Sequence, residues 1–175
     1  IGVVGAITPF NFPLNLAAHK VGPAIASGCG VVLKPSREAP IAAAEFANLL
    51  YDSGLPLDWL SVVVGPSSEI AESLITDRRV GMITFTGSSD VGWSLAAEAP
   101  RKRVNLELGN STPLIVCSDG EIAAAARAVA SSGFGFAGQS CISVQRVLVE
   151  ASVQSEFNEL LLRETTTKLL GNPLD

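Results

Sequence analysis

Apolar residues fall along the chain in short β-branched runs, at residues 2–7, 31–34, 60–64, 82–86, 104–107, 114–116 and 147–149. Runs of this length that stay apolar from one position to the next predict strands buried on both faces. Between them the pattern takes on helical spacing, which predicts helices over 14–26, 41–53, 69–75, 91–98, 121–134 and 153–169. Strand and helix alternate throughout, so the predicted fold class is α/β with a parallel sheet. The punctuation agrees: Gly28-Cys29-Gly30, Ser53-Gly54-Leu55-Pro56 and Gly65-Pro66 stand where helices should stop or turns should form. Gly87-Ser88-Ser89-Asp90 follows a strand and opens a helix, where Ser or Asp can cap the free amides of the first turn and the same amides can receive an anion. The texture changes after Asn110-Ser111-Thr112-Pro113, which predicts a five-stranded α/β unit over 1–110 and the start of a second unit over 111–175.

Composition narrows the function classes. Hydrophobic residues make up 47% of the 175 and charged residues 17%, against roughly 25% charged in an average soluble domain. That apolar content excludes a disordered chain. No apolar run reaches the roughly 18 residues of a membrane span, because Lys20, Lys34, Arg78 and Arg101 interrupt the candidates, so a soluble protein without a membrane partner is expected. A net charge of -5 and a pI near 4.9 argue against a nucleic-acid partner. The one basic cluster, Arg101-Lys102-Arg103, reads as a solvated turn before a strand. Cys29, Cys117 and Cys141 have neither metal-ligand spacing nor an even count, which points to no metal, no disulfide framework and a reducing, cytoplasmic setting. Ile1-Gly2-Val3-Val4-Gly5 has no basic leader and reads as a strand already under way.

The candidate chemistry begins at Gly138-Gln139-Ser140-Cys141-Ile142-Ser143, a Gly and Ser segment between a helix and a strand that can leave a sulfur reachable. Spacing alone leaves two roles for Cys141, an activated nucleophile or a small buried hydrophobe. Cys117, flanked by Leu114-Ile115-Val116, and Cys29, in a glycine-flanked turn, read as structural. Glu107, between Leu106 and Leu108, is either a partly desolvated general base or a capping or ion-paired carboxylate. Asn11, on a stiff turn between Pro9 and Pro13, can donate to an oxyanion or stabilise its own turn. Lys34 closes an apolar strand, at the sheet edge where open α/β folds bind ligands, with a surface lysine as the alternative. His19, the only histidine, lies in a helical stretch and reads as a packing residue.

Taken in order, Pro9-Phe10-Asn11-Phe12-Pro13, Leu33-Lys34-Pro35-Ser36, Phe85-Thr86-Gly87-Ser88, Leu106-Glu107-Leu108-Gly109 and Gly138-Gln139-Ser140-Cys141 resemble the aldehyde dehydrogenase superfamily over essentially the whole chain. The resemblance implies a doubly wound, Rossmann-like sheet followed by the start of a catalytic domain. It implies an NAD(P)-dependent enzyme that oxidises an aldehyde to an acid, with Cys141 as nucleophile, Glu107 as base, Asn11 and the Cys141 N–H as oxyanion donors, and Lys20 in a proton relay. It places Lys34, Ser36, Arg37, Gly87, Ser88, Ile7, Thr8, Phe10 and Leu108 at the NAD or NADP site. Small polar aldehydes are the substrates suggested, and a homodimer or tetramer the assembly. Arg37 departs from the family, where many NAD users carry a Glu, and its charge would attract the 2′-phosphate of NADP. Asn110 stands where a second glycine is usual, and Asn tolerates the left-handed backbone expected there. Parts of the family's length are missing on both sides, and the ending Leu170-Gly171-Asn172-Pro173-Leu174-Asp175 resembles a stretch downstream of the nucleophile, so an incomplete, inactive fragment is expected. Two other functions stay open: a CoA-acylating relative on the same fold, against which Glu107 argues, and a nucleotide-binding module without chemistry.

Overall fold

The structure, a computed structural model, describes residues 1–172 and 174. The chain divides into two compact units, Ile1–Leu108 and Gly109–Asp175; of the ending named above, Pro173 and Asp175 lie outside the described residues.

The first unit runs β1 (Val3–Ile7), α1 (Pro13–Ala26), β2 (Gly30–Lys34), α2 (Pro40–Asp52), β3 (Leu60–Val62), α3 (Ser67–Thr76), β4 (Val80–Thr86), α4 (Ser89–Glu98) and β5 (Arg103–Glu107). Its five strands pair in parallel in the order β3-β2-β1-β4-β5. The order reverses between β1 and β4, the place where doubly wound sheets open a crevice at their carboxyl ends. Two hydrogen bonds lace that edge: Thr8 N–H donates to Lys34 O at 3.1 Å, and Gly87 N–H to Glu107 O at 3.1 Å.

Each face of the sheet has its own core. Ala17, Val21 and Ala24 of α1 and Ala43 and Ala47 of α2 cover Val4, Ala6, Val31, Leu33 and Leu60. Leu74 of α3 and Leu95 of α4 cover Ile7, Ile83 and Phe85 on the other face. Helix α4 lies close over its strand because position 92 is glycine, where a Cβ would stand 2.6 Å from Leu108 Cδ2.

The second unit has β6 (Pro113–Val116), α5 (Ile122–Phe134), a 3-10 segment Gly135–Gly138, β7 (Arg146–Val149) and α6 (Gln154–Thr166). Strands β6 and β7 form a parallel pair, joined through α5 as parallel strands require. Leu114, Val116, Val147 and Val149 pack with α5 and α6 around Phe157, while Ile115 and Leu148, on the alternate positions, are exposed.

Three expectations change. Cys117 is exposed, not buried, because β6 ends at Val116 and Cys117 opens a turn in which its carbonyl accepts Gly120 N–H at 3.1 Å. His19 is exposed on α1, and its neighbour Lys20 occupies the buried stripe at 17, 20, 21 and 24. No Ser or Asp side chain caps α4; Ser88 stands at the N-cap with its carbonyl accepting Gly92 N–H at 3.0 Å.

Candidate active site

In the first unit a cleft of about 880 Å³ opens at the carboxyl edge of the sheet. Ile7, Thr8, Lys34, Ser36, Arg37, Gly87 and Ser88 line it, together with Glu38, Thr86 and Val91. Phe10 is exposed and stands outside this lining, and Leu108 packs into the core beside α4 instead. Lys34 is buried at 5% exposure. Burial pulls its pKa below the usual lysine range, the nearby Arg37 charge adds to that, and Glu38 partly offsets it. Ser36 Oγ donates to Glu38 Oε2 at 2.8 Å, which ties the acid of this loop to its own turn. Gly87 has a local reason to be glycine: a Cβ there would lie 2.5 Å from Phe85 Cζ.

The polar groups of the cleft fit a nucleotide. Thr8 Oγ1 is buried without a hydrogen-bond partner among the described residues, a cost that a ligand hydroxyl or phosphate oxygen would relieve. The first-turn amides of α4, with no side-chain cap, face the same need and favour an anion. Lys34 and Arg37 add positive charge. A dinucleotide supplies hydroxyls and phosphates together.

Lys20 and Glu107 belong to the other face of the same sheet edge. Lys20 is buried at 7% exposure and its Nζ donates to Thr84 Oγ1 at 3.0 Å. Desolvation lowers its pKa to about 8, partly countered by the negative charge of Glu107, which places the two within electrostatic reach. Asn105 Nδ2 donates to the same Thr84 oxygen at 3.5 Å. Glu107 is exposed rather than partly desolvated, since β5 is an edge strand whose Arg103, Asn105 and Glu107 positions all face open space. Asn11 is half-buried on the turn that leads into α1.

In the second unit Cys141 is half-buried on a turn closed by Ser143 N–H donating to Ser140 O at 3.1 Å. The approach to this turn is strained: Phe136 and Ala137 have φ of 53° and 54°, a region that costs L residues about 1–2 kcal/mol each, and Gly138 follows at 75°. Asn110 does not adopt the left-handed backbone expected of it. Its side chain acts at long range, with Nδ2 donating to Cys141 O and, at 3.4 Å, to Ser143 O. Sequence reasoning missed this contact, and only the Asn-Ser-Thr-Pro turn signal marked the residue. Among the described residues no cluster of three or more His, Cys, Asp or Glu side chains has metal-binding geometry, and no helix is long and apolar enough to cross a membrane.

Known proteins share this sequence and fold. The 3-sulfolactaldehyde dehydrogenase of Priestia aryabhattai is 45% identical over 175 residues, covering all of this chain and 37% of that protein. A crystal structure of an NAD-dependent aldehyde dehydrogenase from Sinorhizobium meliloti superposes with a TM-score of 0.96 at 41% identity, over 99% of this chain and 35% of that one. An NADP-dependent enzyme of E. coli superposes with a TM-score of 0.96 at 36% identity, over 99% of this chain and 37% of the other. The chain thus spans a little over a third of the length of each. The model of the aldehyde dehydrogenase family matches residues 1–175, and with these likenesses on both units the chain belongs to that family.

Proposed function

We propose that this protein oxidises a small polar aldehyde to its carboxylic acid with NAD or NADP as oxidant. The observation that carries the reading is the Cys141 turn, a reachable thiol on a strained, externally held loop, in a chain whose other unit has a cleft furnished for a dinucleotide. The 3-sulfolactaldehyde dehydrogenase among its relatives supports a short, polar substrate.

In this reading Thr8, Lys34, Ser36, Gly87 and Ser88, with Ile7 in the same cleft, would hold the cofactor, and it would supply the hydride acceptor when bound. The Cys141 thiolate adds to the aldehyde carbon, and the resulting oxyanion takes hydrogen bonds from Asn11 and from the Cys141 N–H. Loss of hydride from that carbon restores the carbonyl as a thioester on Cys141. Glu107 takes a proton from water, the hydroxide oxygen bonds to the thioester carbon, the C–S bond breaks, and acid and thiolate separate. Exposure of Glu107 favours water as the acyl acceptor over CoA, because a carboxylate open to solvent can meet water. Lys20, neutral or charged near pH 8, exchanges the proton that Glu107 collects.

Replacing Cys141 with Ser is expected to lower aldehyde-dependent NAD(P)H formation by roughly a thousandfold or more, with cofactor affinity unchanged. Full activity in Cys141→Ser would overturn the reading. Arg37 on the cleft rim further favours NADP, because a guanidinium beside a 2′-phosphate attracts it where a carboxylate repels it. Arg37→Glu is expected to shift the NADP/NAD preference at least tenfold toward NAD. A strong NAD preference left untouched by that variant would remove this part.

A further inference from the structure

The segment 139–145, which carries the thiol, has neither strand nor helix to hold it. It is gripped instead from outside. Asn110 Nδ2 donates to Cys141 O and to Ser143 O, the second at 3.4 Å, while Asn110 Oδ1 accepts Thr112 N–H at 2.9 Å. This orientation of the amide is the consistent one, since both turn partners are carbonyls that only accept and Thr112 N–H only donates. One end of the turn is sunk, with Ser143 at 2% exposure, and the other carries the half-buried Cys141.

We propose that Asn110 is a positioning residue for the reaction: by holding the carbonyls of Cys141 and Ser143 it fixes the peptide plane that follows the thiol, and so the direction in which Sγ meets the aldehyde. The proposal rests on the reading of Cys141 as nucleophile. Covalent attack needs the reacting atoms about 3–3.5 Å apart and aligned, and a displacement near 1 Å can lower the rate about a hundredfold. A turn with no ladder bonds cannot hold that tolerance by itself. The left-handed run at Phe136, Ala137 and Gly138 stores strain on its other side and adds to the need for a fixed point. A glycine at position 110 would have no side chain to reach the turn.

The test compares wild type with Asn110→Asp and Asn110→Gly in the full-length enzyme. Asp keeps the shape and the acceptor for Thr112 N–H but turns a carboxylate oxygen toward two carbonyls; Gly removes the side chain and stands in if Asp does not fold. The expected result is a burst of NAD(P)H formation at least roughly tenfold slower in the variants, with cofactor affinity and aldehyde KM within twofold of wild type. Faster amide hydrogen exchange confined to 139–145 is expected alongside it. A burst within twofold of wild type in a folded variant overturns the proposal, as does a loss carried entirely by KM or cofactor affinity, which a merely structural role would give. If wild type itself shows no burst with Cys141 intact, the oxidation reading falls and the proposal with it; an unchanged burst sinks the proposal alone.

Discussion

The two faces of the five-stranded sheet use the same strands for different purposes. Beneath α3 and α4, β4 and β5 present Ile83, Phe85, Val104 and Leu106, an unbroken apolar surface. On the α1 side the same strands present Thr84, Thr86, Arg103, Asn105 and Glu107, paired as Thr84 with Asn105 and Thr86 with Glu107. A strand buried on both faces ordinarily reads apolar on both. Two buried threonines and a buried lysine therefore mark a face kept polar at some loss of stability, and it is the face that carries the candidate base. At the carboxyl ends of β4 and β5 the α3/α4 face packs and the α1 face holds protons, whereas β1 to β3 are apolar on that second face too, under α1 and α2.

The contrast is sharpest at adjacent residues. Ile83 is fully buried, and its Cδ1 fills the space over Gly5, where a Cβ would lie 3.0 Å away. Ile83→Ala is expected to cost about 3–4 kcal/mol, the transfer of the lost methyl groups plus the cavity they leave, read as a lower midpoint in urea unfolding. A loss below about 1 kcal/mol would mean that the apolar side of β4 does little to hold the sheet to α3 and α4.

Lys20 provides the opposite sign. Its pKa falls from 10.5 to about 8 on folding, so below pH 8 the folded state carries the whole desolvation penalty. Lys20→Met is accordingly expected to raise stability at pH 7 by about 2 kcal/mol, the burial penalty less the hydrogen bond to Thr84, while slowing turnover. Between pH 8 and 10.5 the folded lysine loses its proton while the unfolded one keeps it, so wild-type stability rises with pH through that window and the advantage of the variant shrinks. Unfolding at pH 7 and pH 10 checks both sign and slope. A variant less stable than wild type at pH 7 would show that the lysine anchors the fold.

These features differ in how far the sequence exposes them. The seven strands of the described residues were legible because runs such as 31–34 are short, β-branched and bounded by Gly and Pro, and each forms near its predicted place. Lys20 was partly legible, since the 17, 20, 21, 24 spacing puts it on the inward stripe of α1. The exposure of Glu107 depends on β5 being an edge strand, a property of topology and not of the local run. Cys117 turned outward because β6 ends at Val116, where the apolar run ends, and the next residue opens a turn that no apolar pattern describes. The grip of Asn110 on Cys141 spans 31 positions, and no local pattern encodes a partner that distant.

Asn105 gives the smallest expected effect and the finest cut between the faces. It is exposed, and the hydrogen bond its side chain makes among the described residues, to Thr84 Oγ1, is long at 3.5 Å. Asn105→Val keeps the β propensity of the strand and leaves Thr84 bonded to Lys20, so stability should change by less than about 0.5 kcal/mol. The same exchange in reverse on the preceding residue, Val104→Asn, puts an amide against the apolar core under α4 and is expected to cost about 1–3 kcal/mol. If urea unfolding shows equal losses for the two variants, the division into a holding face and a polar face fails at β5. If they separate as expected, the polar positions of this strand are free to serve chemistry because the fold asks nothing of them.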